Sequence, residues 1–247
     1  MLHYHATIAI FAYKNDKRPT MINEQLESLY QSFLPSLSVM YQDLDGKGIT
    51  DYAGPLLLHC WGDRYLASRH RLMIFGQETD GWYAEYMRTE DDVKAFMKHY
   101  EEFRLGENYR SLFWQYAHEI NRMINGEDYL NFIWNNVNKF GIDGIGRPHP
   151  DVLSEEVQHY NIIPQEIEIL SPDVCIFLSG PRYDWDLKRK MPDLKFEAFE
   201  DYPVNEAARL VSSCLPENSF RTYHPGYGNR YSDWYMELLG KFARTIQ

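Results

Sequence analysis

The chain has 247 residues, about the size of one large α/β domain, and its 44% hydrophobic and 25% charged residues exclude wholesale disorder, collagen-like repeats and coiled-coil fibres. Its 36 acidic residues against 25 basic ones leave a net charge of −11, which argues against non-specific coating of nucleic acid but leaves room for a local basic cleft. Aromatic residues reach 15%, which suits a core with deep pockets, because rings bring large apolar area with few rotatable bonds.

The first stretch, MLHYHATIAIFAYKNDKRPT, has a short apolar patch without a basic lead-in or a small-residue cleavage site, so no signal peptide is expected. Residues 1–54 are expected to form a helical extension, because Ile22, Leu26, Leu29, Tyr30 and Phe33 recur at helical spacing before Pro35. Gly46 and Gly48 break that pattern, and a second helix is expected from Pro55 to Ala67 with proline in its first turn. Arg71–Phe75 is a short continuous apolar run stopped by Gly76, the pattern of a buried parallel strand. Thr89 and the acids at 90–92 open a helix whose apolar face is Val93, Phe96, Met97 and Tyr100. A further helix runs from Tyr109 to Ile124 and stops near Asn125-Gly126.

Tyr129–Trp134 is the second strand candidate, ending at Asn135-Asn136. The glycine-rich stretch 141–146 follows no good strand and reads as a flexible loop. Asp173–Leu178 is the clearest strand, stopped by Ser179-Gly180-Pro181, and Lys195–Phe199 alternates like an edge strand. Ser219–Tyr223 precedes His224-Pro225-Gly226, and an amphipathic helix closes the chain from Ser232 to Ala243. Strands separated by helices predict an α/β fold: a central, mostly parallel sheet of about four strands with helices on both faces, in one domain spanning 1–247. Ligands in such sheets bind beyond the carboxyl ends of the strands. Gln77 and Glu78, Asn135, and His224 all follow apolar runs and fall at such ends.

The sequence carries no metal or nucleotide motif: there is no CxxC pair, HExxH, Walker A, G-x-G-x-x-G or G-x-S-x-G elbow. His3 and His5 could share one strand face but lack a third ligand, so neither a bound metal nor an organic cofactor is expected. The residues that remain can do acid–base chemistry. A carboxylate can activate water, an imidazole can stabilise charge on a leaving group, and an asparagine amide can both donate to and accept from a planar heterocycle. The three cysteines, Cys60, Cys175 and Cys214, lie far apart in apolar stretches and read as buried thiols in a reducing cytoplasm. No apolar run approaches the ~20 residues needed to span a bilayer, so no membrane partner is expected.

These segments carry a family resemblance. Arg71-Leu-Met-Ile-Phe-Gly-Gln-Glu-Thr79 resembles the strand and Gly-Gln-Asp-Pro motif of the uracil-DNA glycosylase superfamily, and Arg221-Thr-Tyr-His-Pro-Gly226 resembles its strand leading into His-Pro-Ser. Phe132–Asn135 is similar to its middle strand and Asp173–Gly180 to its later one, in the same order across residues 70–227. The resemblance implies a DNA-repair glycosidase that hydrolyses the N-glycosidic bond of a flipped uracil or modified base. It also implies DNA, or a nucleobase or nucleotide, as partner. Glu78 would activate water, Gln77 would offer its backbone amide to the base, and Asn135 would bond the base edge. His224 would bond a carbonyl of the departing base, with Trp82, Tyr83 or Trp114 as stacking platform. Thr79 replaces the motif's proline and Gly226 its serine, and residues 78–102 carry eight acids against three bases, an unfavourable neighbour for phosphates. Small basic clusters stand at Arg64, Arg69 and Arg71 and at 182–190. The alternative expectation is a non-catalytic relative that binds a nucleobase, nucleotide or protein.

Overall fold

The computed structural model describes residues 18–82, 86–142, 144, 146–227 and 232–246; His3, His5 and Tyr83 lie outside them. The structure is α/β, built on six strands: β1 (Leu72–Gly76), β2 (Phe132–Asn136), β3 (Val174–Phe177), β4 (Lys195–Ala198), β5 (Ala207–Val211) and β6 (Asn218–Thr222). Their order is β2-β1-β3-β6-β5-β4. The first four in that order are parallel, while β5 and β4 extend the sheet antiparallel. The sheet therefore has six strands rather than about four. The unforeseen one is β5, whose sequence Ala-Ala-Arg-Leu-Val is rich in helix formers and is held extended by pairing on both sides.

Nine helices are described: α1 (Arg18–Ser32), α2 (Leu34–Gly46), α3 (Gly62–Ala67), α4 (Glu90–Phe103), α5 (Leu112–Asn125), α6 (Pro150–His159), α7 (Ile163–Leu170), α8 (Asp184–Lys190) and α9 (Ser232–Ile246). Pro35 does not end the lead-in but sits in the first turn of α2, where its missing N–H is not needed. Leu26, Tyr30, Leu37, Met40 and Leu44 are fully buried, so α1 and α2 belong to the same core as the sheet. Residues 55–61 have no regular secondary structure, and helix covers only Gly62–Ala67. The backbone of that segment is bonded elsewhere: Leu56 N–H donates to Lys139 O (2.8 Å), and Leu58 N–H to Tyr30 Oη (3.0 Å). α4 opens as expected, with a capping box in which Thr89 Oγ1 accepts from Asp92 N–H while Asp92 accepts from Thr89 N–H. No helix among the described residues is long and apolar enough to cross a membrane.

Helices cover both faces of the parallel half of the sheet. Along β2, Trp134 turns toward α4 and α5, where its ring meets Tyr100 and Trp114, while Asn135 turns to the other face and meets Glu166 of α7. β2 is an edge strand, and Tyr100 Oη closes its free side by accepting from Trp134 N–H and donating to Trp134 O.

Two buried ion pairs hold the segment after β2. Lys139 Nζ lies 2.8 Å from Glu166 Oε1, with both side chains fully buried. Asn135 accepts from Lys139 (2.8 Å) and donates to Glu166 (2.9 Å), and Tyr30 donates to Glu166 (2.9 Å). The second pair is Lys190 with Glu156; Glu156 also accepts from Lys139 N–H (2.9 Å). Removing one partner of such a pair strands the other in a medium that cannot solvate it. Lys139→Ala should therefore cost about 3–5 kcal/mol in urea unfolding, and Lys139→Met combined with Glu166→Gln should cost clearly less. Equal losses for the two variants would show that packing, not the stranded charge, sets the penalty.

Candidate functional site

The parallel strands bring their carboxyl ends to one side, and a cavity of about 560 Å³ opens there. Gln77 and Glu78 enter its wall directly after β1, Asn136 at the end of β2, and His224 two residues after β6. Phe113 and Trp114 of α5, Trp82 and Trp134 are part of the apolar lining, with Phe103, Tyr109 and Leu112. Trp82 is edge-on to Trp134 at 5.2 Å, and Trp114 to Trp134 at 5.0 Å. No lysine or arginine is among the described lining residues; the only acids there are Glu78 and Asp80. A wider groove of about 680 Å³, among His59, Lys94, Lys98 and Glu101, is lined by helix-surface charges of both signs.

Gly76 sits where backbone must pass close to the cavity wall. A Cβ there would lie 2.5 Å from Asn136 Oδ1 and 3.2 Å from the Phe113 ring. Asn136 is 1% exposed; its Oδ1 accepts from Trp134 Nε1–H (3.2 Å), and its Nδ2 has no hydrogen-bond partner. The indole thus fixes the amide so that its donor end is the one left over. Trp82 Nε1–H is likewise buried without a partner.

His224 stacks parallel to Phe113 at 5.8 Å, and its Nδ1 accepts from Gly226 N–H (3.1 Å). Burial lowers its pKa to about 4, so the ring is neutral near pH 7. With Nδ1 used as acceptor, the proton resides on Nε2, and the ring is a neutral donor.

Glu78 is half-buried. Tyr183 Oη–H donates to its Oε1 and Asn138 Nδ2–H to its Oε2 (3.3 Å). Burial pushes its pKa above the ordinary carboxylate value, while these two hydrogen bonds pull it back. Asn138 is in turn held by Lys190 Nζ (3.1 Å), and the Arg147 guanidinium lies 4.8 Å over the Tyr183 ring. Gln77 uses its side chain structurally, donating to Ser179 O (2.7 Å), while its carbonyl accepts from Asn138 N–H (2.9 Å).

The structure thus brings Glu78, Gln77, Trp82, Trp114 and His224 to one cavity and leaves Asn135 out of it. Asn135 is fully buried on the opposite face, between Lys139 and Glu166. Strand alternation is the reason: in the tandem Asn135-Asn136, the residue sharing a face with Trp134 is Asn136. Tyr183, Asn138 and Phe113 were not singled out from sequence. Asn138 lies beyond the end of β2, where strand alternation gives no guide, and Tyr183 carries no local signal, because 105 residues separate it from Glu78. No protein-family model matches this chain, and no curated protein matches it significantly.

The His224 environment has a consequence for stability. An unfolded imidazole titrates at 6.5 and the folded one at about 4, so below 6.5 the unfolded state binds the extra proton. This contribution to stability is complete above 6.5, falls as the pH drops toward 4 and then levels off. Urea midpoints measured against pH should show the decline in the wild type and a flatter curve in His224→Gln, whose amide can still accept from Gly226 N–H. Parallel curves would mean that His224 titrates normally in the folded chain.

Proposed function

We propose that the protein is a base-excision hydrolase that cleaves the N-glycosidic bond of uracil or a modified base turned out of DNA, in the manner of the uracil-DNA glycosylase superfamily it resembles. One observation carries the reading: a carboxylate and a neutral imidazole, 146 positions apart in the sequence, line one aromatic cavity at the carboxyl ends of parallel strands. Asn136 Nδ2–H, Trp82 Nε1–H and the inferred His224 Nε2–H are all donors. A ring bearing two carbonyls, as uracil does, complements such a set better than one bearing an amino group.

In this reading a base slides between the aromatic walls and its carbonyls meet Asn136 and His224. The Glu78 carboxylate takes a proton from a water that attacks the sugar C1′. The glycosidic bond breaks toward an oxocarbenium-like sugar, and negative charge grows on the base, where the His224 N–H stabilises it. Donors aimed at charge that exists only in the transition state raise turnover without tightening ground-state binding. A second reading, a nucleobase- or nucleoside-binding protein without excision activity, draws on the absence of lysine or arginine from the described lining and on the two bonds already made to Glu78.

Uracil release from single- and double-stranded oligonucleotides separates the two. Wild type should release base, with Glu78→Gln and His224→Ala each slower by ~10²–10³. The rate should fall on the acid side at a pH above the ordinary carboxylate value, since Glu78 must be ionised and burial raises its pKa. Tyr183→Phe removes a hydrogen bond that lowers that pKa, so its acid limb should move to higher pH. Uracil binding without release supports the second reading, and release that both substitutions leave intact removes these residues from the mechanism.

A further inference from the structure

Between α2 and α6, away from the cavity, the fold assembles a cluster that spacing along the chain does not reveal. Glu155 and His159 are one turn apart on α6, and Asp43 faces them from α2. His159 Nε2 lies 3.4 Å from Glu155 Oε2 and 3.9 Å from Asp43 Oδ2, and the three ligand atoms lie within 4.8 Å of one another. Glu155 is only 8% exposed, yet its Oε2 has no hydrogen-bond partner, and neither has His159 Nε2. Two buried polar atoms 3.4 Å apart with no hydrogen bond to either are under-satisfied unless a proton or a cation sits between them.

The surroundings favour a cation there. Ser36 Oγ lies 3.4 Å from His159 Nδ1 and can accept its proton, which leaves the Nε2 lone pair facing the carboxylates. Lys47 Nζ bonds the other oxygen, Glu155 Oε1 (2.6 Å), and also Asp151 Oδ1 (3.3 Å), so Oε2 stays available. With Asp43 beside His159 and both Asp151 and Glu155 on the one Lys47 ammonium, acids outnumber the ammonium here. Asp43 is half-exposed, which gives an ion a path from solvent and room for water as a further ligand.

We propose that Asp43, Glu155 and His159 bind a divalent transition-metal ion of the zinc class. One imidazole and two carboxylates suit zinc, and metal–ligand bonds of about 2.0–2.1 Å in a tetrahedron put ligand atoms roughly 3.4 Å apart. Calcium and magnesium prefer shells made wholly of oxygen with six or more ligands. The ion would clasp α2 to α6. The residue after Glu155 is Glu156, which holds Lys190 and the Lys139 amide, so the clasp would brace the helix that anchors the segment behind the cavity.

Zinc titration of the chelator-stripped full chain, by calorimetry and thermal unfolding, tests this. The proposal expects one equivalent bound, and a midpoint higher by roughly 5–10 °C when zinc is at 100 times its Kd. Asp43→Asn, on the exposed rim, and His159→Gln should each weaken binding by more than the ~10–100-fold that loss of an outer partner costs. Cys214→Ser, a control for stray thiol binding, should bind as wild type does. A wild-type midpoint indifferent to zinc overturns the proposal and leaves a proton, shared as a His159–Glu155 ion pair, as the filler of the gap. Zinc binding that survives both ligand substitutions overturns it too, by placing the ion elsewhere.

Discussion

The acid and the asparagine at the cavity depend on how the six residues after Trp134 are held. Two ammonium groups, Lys139 and Lys190, are buried among the carboxylates of Glu166 and Glu156, and between them they bond both faces of this segment. Lys190 also donates to Val137 O and to Asn138 Oδ1, and Asn138 passes the constraint to Glu78. Such pairs contribute little net stability, because desolvation offsets most of the attraction. Their effect is geometric: with few alternative partners inside the protein, the segment has one satisfied arrangement. The acid at the cavity inherits its position from that arrangement, two links from α8, the helix that supplies the Lys190 charge.

The same geometry tunes the two titratable groups in opposite chemical senses. Burial keeps His224 neutral and raises the pKa of Glu78, so both are shifted toward uncharged forms. Hydrogen bonds then decide what each can do. Nδ1 of His224 is occupied by Gly226, so the ring has a donor left to offer; Glu78 receives bonds from Tyr183 and Asn138 that favour its charged form, an acceptor. A donor and an acceptor facing one aromatic-lined space form the minimum set for hydrolysis of a bond to a planar leaving group.

Much of this was legible in the sequence where one element decides the outcome. The continuous apolar runs of β1 and β3 could hardly be anything but buried strands, and the residues just beyond β1 and β6 did fall at one end of the sheet. What sequence could not show was anything that depends on a second element. Asn135 and Asn136 are chemically identical, and only the packing of Trp134 against α5 decides which of them sees the cavity. Pro55 is compatible with a helix start or an irregular segment, and the bond from Leu56 N–H to the carbonyl of Lys139 decides for the latter. The Glu155–His159 pair has ligand spacing on a helix, but Asp43, more than a hundred residues away, completes the cluster. Local rules succeed where burial is continuous and fail where partners are distant.

The most direct measurement is of the cavity's own donors in the presence of a base. In a protein labelled with nitrogen-15, the Asn136 carboxamide and the His224 ring should each give resolvable proton signals. Free uracil should shift the Asn136 Nδ2 protons and the His224 Nε2 proton together, with cytosine doing so far less. Uracil that leaves both signals unmoved at saturating concentration, or that moves signals only outside the cavity, would contradict the proposed function.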